Sequence, residues 1–260
     1  MSFSSRLIRN LLLLSLFALS TTLRAESKST AVSDPRPVAK AVAQLEALYG
    51  FPVTYEDPPY VHDHEITDVT DQVQGARQNG KRVLIPKGGS FTFTFDLPDA
   101  GAHPGGGLLL SAMAAEDVVA NMLQSYAATR NGDMFTVTRS DRLLHVVPTR
   151  FVNRSGKPEQ LTPLLSTELI VSPQSRTGFD LVSEICRSLS LATGQSVVVG
   201  NVPSSLLANH PTTITASREP ARAVLSRLLQ EFDVPLSWQL FYDPGLRLYV
   251  LNIHAVTPAN

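Results

Sequence analysis

The chain has 260 residues, with 22 Lys and Arg against 23 Asp and Glu and a single cysteine, Cys186. A balance this close to neutral argues against a nucleic-acid binder. One cysteine excludes an internal disulfide, so the core must hold by burial alone.

Arg6 and Arg9 precede an apolar run over residues 11–20, too short for the roughly 20 residues that span a bilayer. That layout reads as a secretory signal over residues 1–25, cleaved after Ala25, and places the product in the periplasm or outside the cell. Leu23 is larger than the residue preferred three places before cleavage, and Arg24 is charged, so a retained N-terminal anchor is the alternative. Cleavage removes Arg6, Arg9 and Arg24 and no acid, leaving 19 basic against 23 acidic side chains in about 235 residues. No later apolar run is long enough to cross a membrane.

Residues 26–36 are small and polar and predict a flexible leader. Pro37 opens a helix whose stripe is Val38, Ala41, Val42, Leu45, Leu48 and Tyr49, with Gly50 as its stop. A β-prone run over residues 51–55 follows, ended by Asp57, Pro58 and Pro59. Phe91, Phe93 and Phe95 alternate with Thr, as in a strand with one core face. Ala115, Val118, Val119, Met122, Leu123 and Tyr126 fall at helical offsets, and a hairpin is predicted around Ser140 and Asp141.

The same order then returns. After a polar linker over residues 153–163, residues 164–171 read as a strand. Val182, Ile185, Cys186, Leu189 and Ala192 form a helical stripe closed by Gly194, 144 residues after Val38 and Gly50. Cys186 falls where Val42 falls, which predicts packing and not reactivity. Residues 195–199 and 212–215 read as strands. Ala221, Val224, Leu225, Leu228, Leu229 and Phe232 repeat the offsets of the helix 106 residues earlier, and Asp243, Pro244 and Gly245 mark a second hairpin. The drop from 144 to 106 leaves 38 extra residues in the first copy, within an insertion at about residues 56–107.

The expected fold class is therefore α+β: two tandem small modules, residues 37–152 and 164–256, each with two helices packed on short, mostly antiparallel sheets. The order helix, Gly, strand, strand, helix, hairpin resembles the short N-terminal (STN-like) domain of secretins and TonB-dependent receptors. The second copy carries the resemblance best, over residues 179–192, Gly194, 197–199, 212–215, 220–232 and 238–253. In that family such modules are periplasmic docking or signalling elements that act through exposed strand edges and loops. The resemblance implies a non-enzymatic interaction or scaffold protein whose partner is an envelope protein or peptide. It transfers no catalytic residue and implies no cofactor.

Candidate chemistry is sparse. His62, Asp63, His64 and Glu65 are the densest metal-capable cluster. In an extended segment the two imidazoles would stand about 7 Å apart on one side, but a metal needs further ligands and none stands at a recognisable spacing. The cluster reads as a solvated loop, with His62 and His64 the only metal candidates. His103, His145, His210 and His254 read as surface or strand residues, and Glu56 and Asp57 as a strand-end turn. The glycines at 105–107 lack the Lys and Ser/Thr of a phosphate loop. Neither a Gly-x-Ser-x-Gly elbow nor a His-Glu-x-x-His helix occurs. The alternative to docking is a small-ligand-binding protein or hydrolase-type enzyme, with Glu56, Asp57, His62, His64 and Glu65 in the insertion and the cleft between modules.

Overall fold

The computed structural model describes residues 26–76, 80–97, 112–130 and 134–257. Residues 1–25, expected as a secretory signal, and His103 and the glycines at 105–107 lie outside the described residues. The fold is α+β. In chain order the first half contains β1 (Glu26–Asp34), α1 (Pro37–Tyr49), β2 (Val53–Glu56), β3 (Ile66–Asp68), β4 (Leu84–Pro86), β5 (Gly89–Leu97), α2 (Ala112–Arg130), β6 (Phe135–Ser140) and β7 (Leu143–Pro148). A short hairpin of β8 (Arg150–Val152) and β9 (Pro158–Gln160) leads on. The second half has β10 (Glu168–Val171), β11 (Arg176–Thr177), α3 (Gly178–Thr193), β12 (Ser196–Val199), α4 (Ser204–Ala208), β13 (Pro211–Thr212), β14 (Ala216–Pro220), α5 (Ala221–Gln230), β15 (Leu236–Asp243) and β16 (Leu248–Ala255).

The apolar stripes decide the helices. Val38, Ala41, Val42 and Leu45 are buried on α1, and Val182, Ile185, Cys186 and Leu189 on α3. Each helix ends at a glycine in the left-handed region, Gly50 at φ 64 and Gly194 at φ 70, a conformation that other residues adopt with strain. A capping box fixes the start of α3: Thr177 accepts from the Asp180 N–H while the Asp180 carboxylate accepts from the Thr177 N–H. Burial of Cys186 pushes its thiol up to about 12, in keeping with a packing role.

Six strands form the central sheet, in the order β12-β16-β15-β2-β7-β6. Each half contributes three, and they pair alike. The second hairpin strand lies antiparallel to the first and parallel to the strand after the first helix: β7 between β6 and β2, β16 between β15 and β12. Buried apolar residues gather in two clusters. One is built on α1, α2, β2 and β5, the other on α3, α5, β15 and β16. Phe91, Phe93 and Phe95 are buried in the first cluster, as the core-facing alternation predicts. No helix among the described residues is long and apolar enough to cross a membrane.

Four local expectations change. Residues 26–34 form no mobile leader: β1 lies antiparallel to β5 in unbroken register from Glu26↔Leu97 to Asp34↔Gly89. Its polar sequence hides the strand because β5 supplies the edge, and Val32 alone enters the core, at 2% exposure. The strand expected at 212–215 is only the Pro211–Thr212 bridge to β11, and the longer β14 pairs with β10. β14 carries Ser217, Arg218 and Glu219, which give no apolar alternation to read. Of residues 164–171, Leu164–Ser166 is a 3-10 turn and only Glu168–Val171 is extended. The linker holds β9 and a turn with Gly156 at φ 77.

Candidate functional site

The halves meet edge to edge. β2 runs parallel to β15 with Tyr55 opposite Gln239 and Glu56 opposite Leu240, and the Asp57 N–H donates to the Leu240 carbonyl at 2.8 Å. Three carboxylates of the first half then take donors from the second. Asp57 accepts from the Tyr242 N–H at 2.9 Å, as well as from Arg36 Nε at 2.6 Å, Tyr55 Oη at 2.8 Å and Tyr60 Oη at 3.1 Å. Arg36 in turn donates to the Tyr242 carbonyl at 2.7 Å and lies over the Phe241 ring. Glu56 accepts from Arg222 Nε at 2.8 Å, from Arg222 Nη2, and from the Leu165 N–H at 3.4 Å. Glu46 accepts from the Val53 N–H at 2.9 Å and pairs with His254 Nε2 at 2.9 Å.

All three carboxylates are at most 3% exposed. Burial pushes the Glu56 and Asp57 carboxyls upward, and the guanidiniums of Arg222 and Arg36 pull them back. Buried charges persist only where paired and hydrogen-bonded, and here the bonding capacity goes into the joint. Glu56 and Asp57, expected as a strand-end turn or as members of a ligand or hydrolase-type site, are its clamps.

His145 is a buried strand residue of β7, with Nδ1 2.8 Å from Thr54 Oγ1 and Nε2 2.6 Å from Ser140 Oγ. Its ring stacks on Trp238 of the second half at 5.3 Å. Burial first, and the Arg222 charge second, hold its pKa down to about 4, so the imidazole is neutral at pH 7. His210 meets Glu231 at 2.9 Å. His62 and His64 do come together, with ring centroids 5.1 Å apart, and His62 Nδ1–H donates to the Arg154 carbonyl at 3.2 Å. Among the described residues no three His, Cys, Asp or Glu side chains stand close enough to hold a metal. The structure therefore separates the residues of the enzymatic alternative: Glu56 and Asp57 lie in the joint, while His62, His64 and the half-buried Glu65 lie on the loop beyond β2. Between the halves runs a cleft of about 660 Å³, lined by Phe51, Pro52, Leu143, Phe232, Val234 and Leu236. It contains none of those five residues.

Among the described residues the central sheet leaves two edges unpaired, β12 and β6. On β12 the Gly200 N–H donates to Leu251 of β16, so by strand alternation Val197 and Val199 direct their backbone outward. Ser190 Oγ occupies the Val197 N–H at 2.9 Å, just as Glu46, 144 residues earlier, occupies that of Val53. Val199 thus stands where Tyr55 stands in the joint. On β6 the Met134 carbonyl accepts from the Thr149 N–H, so Phe135, Val137 and Arg139 direct their backbone outward. Neither β6 nor β12 carries the Lys or Pro that blunts an exposed edge.

Sequence reading missed Arg36, Arg222, Thr54 and Trp238. One signal was present. Arg222 sits in the first turn of α5, where a cation opposes the helix dipole, and a residue placed against that preference serves something outside its helix. Comparison with protein-family models, with curated proteins and with solved structures finds no match to this chain.

Proposed function

We propose that the chain is an exported, non-enzymatic docking protein of the cell envelope, built from two STN-like modules, which binds an envelope protein or peptide by strand addition. The observation that carries the reading is the pair of outward-facing edges, β6 and β12, on a sheet already assembled once by edge pairing. Strand addition needs an unpaired backbone edge and neighbouring pockets, and no reactive side chain. The expenditure of Glu46, Glu56 and Asp57 on the joint supports the same reading, since the acids best buried for acid–base work are already bonded.

Val137→Pro and Val199→Pro test it. Each removes an outward N–H while leaving the bonds to β7 or β16 in place. Capture from an envelope fraction by the intact protein should return a defined partner, lost with at least one of the two variants. Capture indifferent to both, or a defined partner absent altogether, contradicts the proposal.

A further inference from the structure

We propose that the occupant of these edges includes a second copy of this chain, joined head to tail, with β6 of one copy parallel to β12 of the next. This rests on the docking reading and specifies one partner for it. The argument is the register of the joint the chain already contains. Val53 faces Leu144, and Val197 faces Tyr249. Val146 faces Val137, and Leu251 faces Leu240. These pairings superpose Val137 on Leu240 and Thr136 on Gln239, while the 144-residue offset superposes Val199 on Tyr55 and Gly200 on Glu56. The internal pairs Gln239↔Tyr55 and Leu240↔Glu56 thus translate into Thr136↔Val199 and Val137↔Gly200 between copies.

The outward backbone groups agree with that register. Val137 stands where Leu240 offers its carbonyl and Val199 where Tyr55 pairs, and each lies on the outward side of its strand. The residue before Val199 in the outward row is Val197, already capped by Ser190 as Val53 is by Glu46, so both edges open for pairing at the same step. One difference sets the strength. In the joint the Asp57 N–H reaches the Leu240 carbonyl, and the Asp57 side chain and Arg36 hold Tyr242. At the open edge the equivalent Asn201 N–H already donates to Asn252 Oδ1 at 2.8 Å. The contact between copies therefore lacks the carboxylate clamp, and association is weak and concentration-dependent. Because the two edges differ, the contact is heterologous and repeats, giving chains or closed rings in place of a simple two-fold dimer.

Sedimentation of the full chain from about 10 μM to about 1 mM should show the average mass rising past twice the monomer. Val137→Pro and Val199→Pro should each remain monomeric with an unchanged far-UV spectrum. An equal mixture of the two should form a one-to-one dimer and nothing larger, because only one competent pair of edges survives. Separately, Thr136→Cys in one copy and Val199→Cys in another should oxidise to a linked heterodimer, since adjacent parallel strands bring facing Cα atoms to about 4.8 Å, within the span a disulfide bridges. This second arm decides the matter if a proline variant misfolds, and buried Cys186 stays out of it. An intact chain monomeric throughout the range overturns the inference, as does a proline variant that still dimerises alone or a cysteine mixture that gives no linked heterodimer. If the intact chain is monomeric but partner capture stays sensitive to Val137→Pro, self-pairing falls and envelope docking stands.

Discussion

The two halves hold corresponding edge residues by different means. In the first half Glu46 caps the Val53 N–H and reaches on to His254 of the second half, Asp57 serves Tyr55 and Arg36 as well as the Tyr242 N–H, and Glu56 takes Arg222. In the second half Ser190 caps the Val197 N–H and reaches no farther. The difference is one of reach and charge: a carboxylate has lone pairs enough to serve its own strand and a neighbour, and a hydroxyl satisfies only its own. Similar strand pairing thus yields one edge that is closed and clamped and one that stays open.

The largest effect should come from the core that presents β15 to the joint. Leu228 is fully buried on α5, and Leu228→Asp should cost more than about 4 kcal/mol and unfold the second cluster. An unchanged far-UV spectrum and melting point would break the assignment of α5 to that core. Asp57→Ala comes next. It leaves Arg36 Nε and the Tyr242 N–H without their acceptor and the mostly buried guanidinium without its counter-charge, with an expected loss of about 3 kcal/mol. Denaturant unfolding should separate into two transitions as the halves uncouple.

Acid provides a third test. The His145 pKa is about 4 when folded against about 6.5 when unfolded, so between those values the unfolded chain binds the proton more readily. Stability should therefore fall as pH drops from about 6.5 to about 4, by about 3 kcal/mol at most. His145→Gln should flatten that slope in unfolding titrations, and an unaltered slope would rule out His145 as its source. The smallest effects sharpen the comparison of caps. Glu46→Ala strands a buried N–H and should cost about 2 kcal/mol, whereas Ser190→Ala exposes an edge N–H to water and should cost less than about 1 kcal/mol. Equal losses in thermal melts would remove the distinction between a clamped and an open edge.

Four of the helices, α1, α2, α3 and α5, and the hairpins at 140–141 and 243–245 were legible because their signals are local. The stripes on α1, α3 and α5, the glycines at 50 and 194 and the turn residues Asp141 and Gly245 lie within a few residues of what they decide. The joint was not legible, because its bonds link Glu56 to Arg222, Asp57 to Tyr242 and Glu46 to His254 across 166, 185 and 208 residues. Glu56 and Asp57 beside Pro58 and Pro59 read as a strand-end turn until their cationic and backbone donors are brought to them. β1 was missed for a related reason, since its pairing is supplied by β5 and not by its own pattern.

Residue-resolved amide hydrogen exchange of the dilute protein tests the central contrast most directly. Tyr55 and Leu240 line the closed joint, and Val137 and Val199 line the open edges. The account predicts slow exchange at the first pair and fast exchange at the second, with Val137 and Val199 gaining protection as the protein is concentrated. Protection of Val137 and Val199 equal to that of Tyr55 and Leu240 in dilute solution would contradict it.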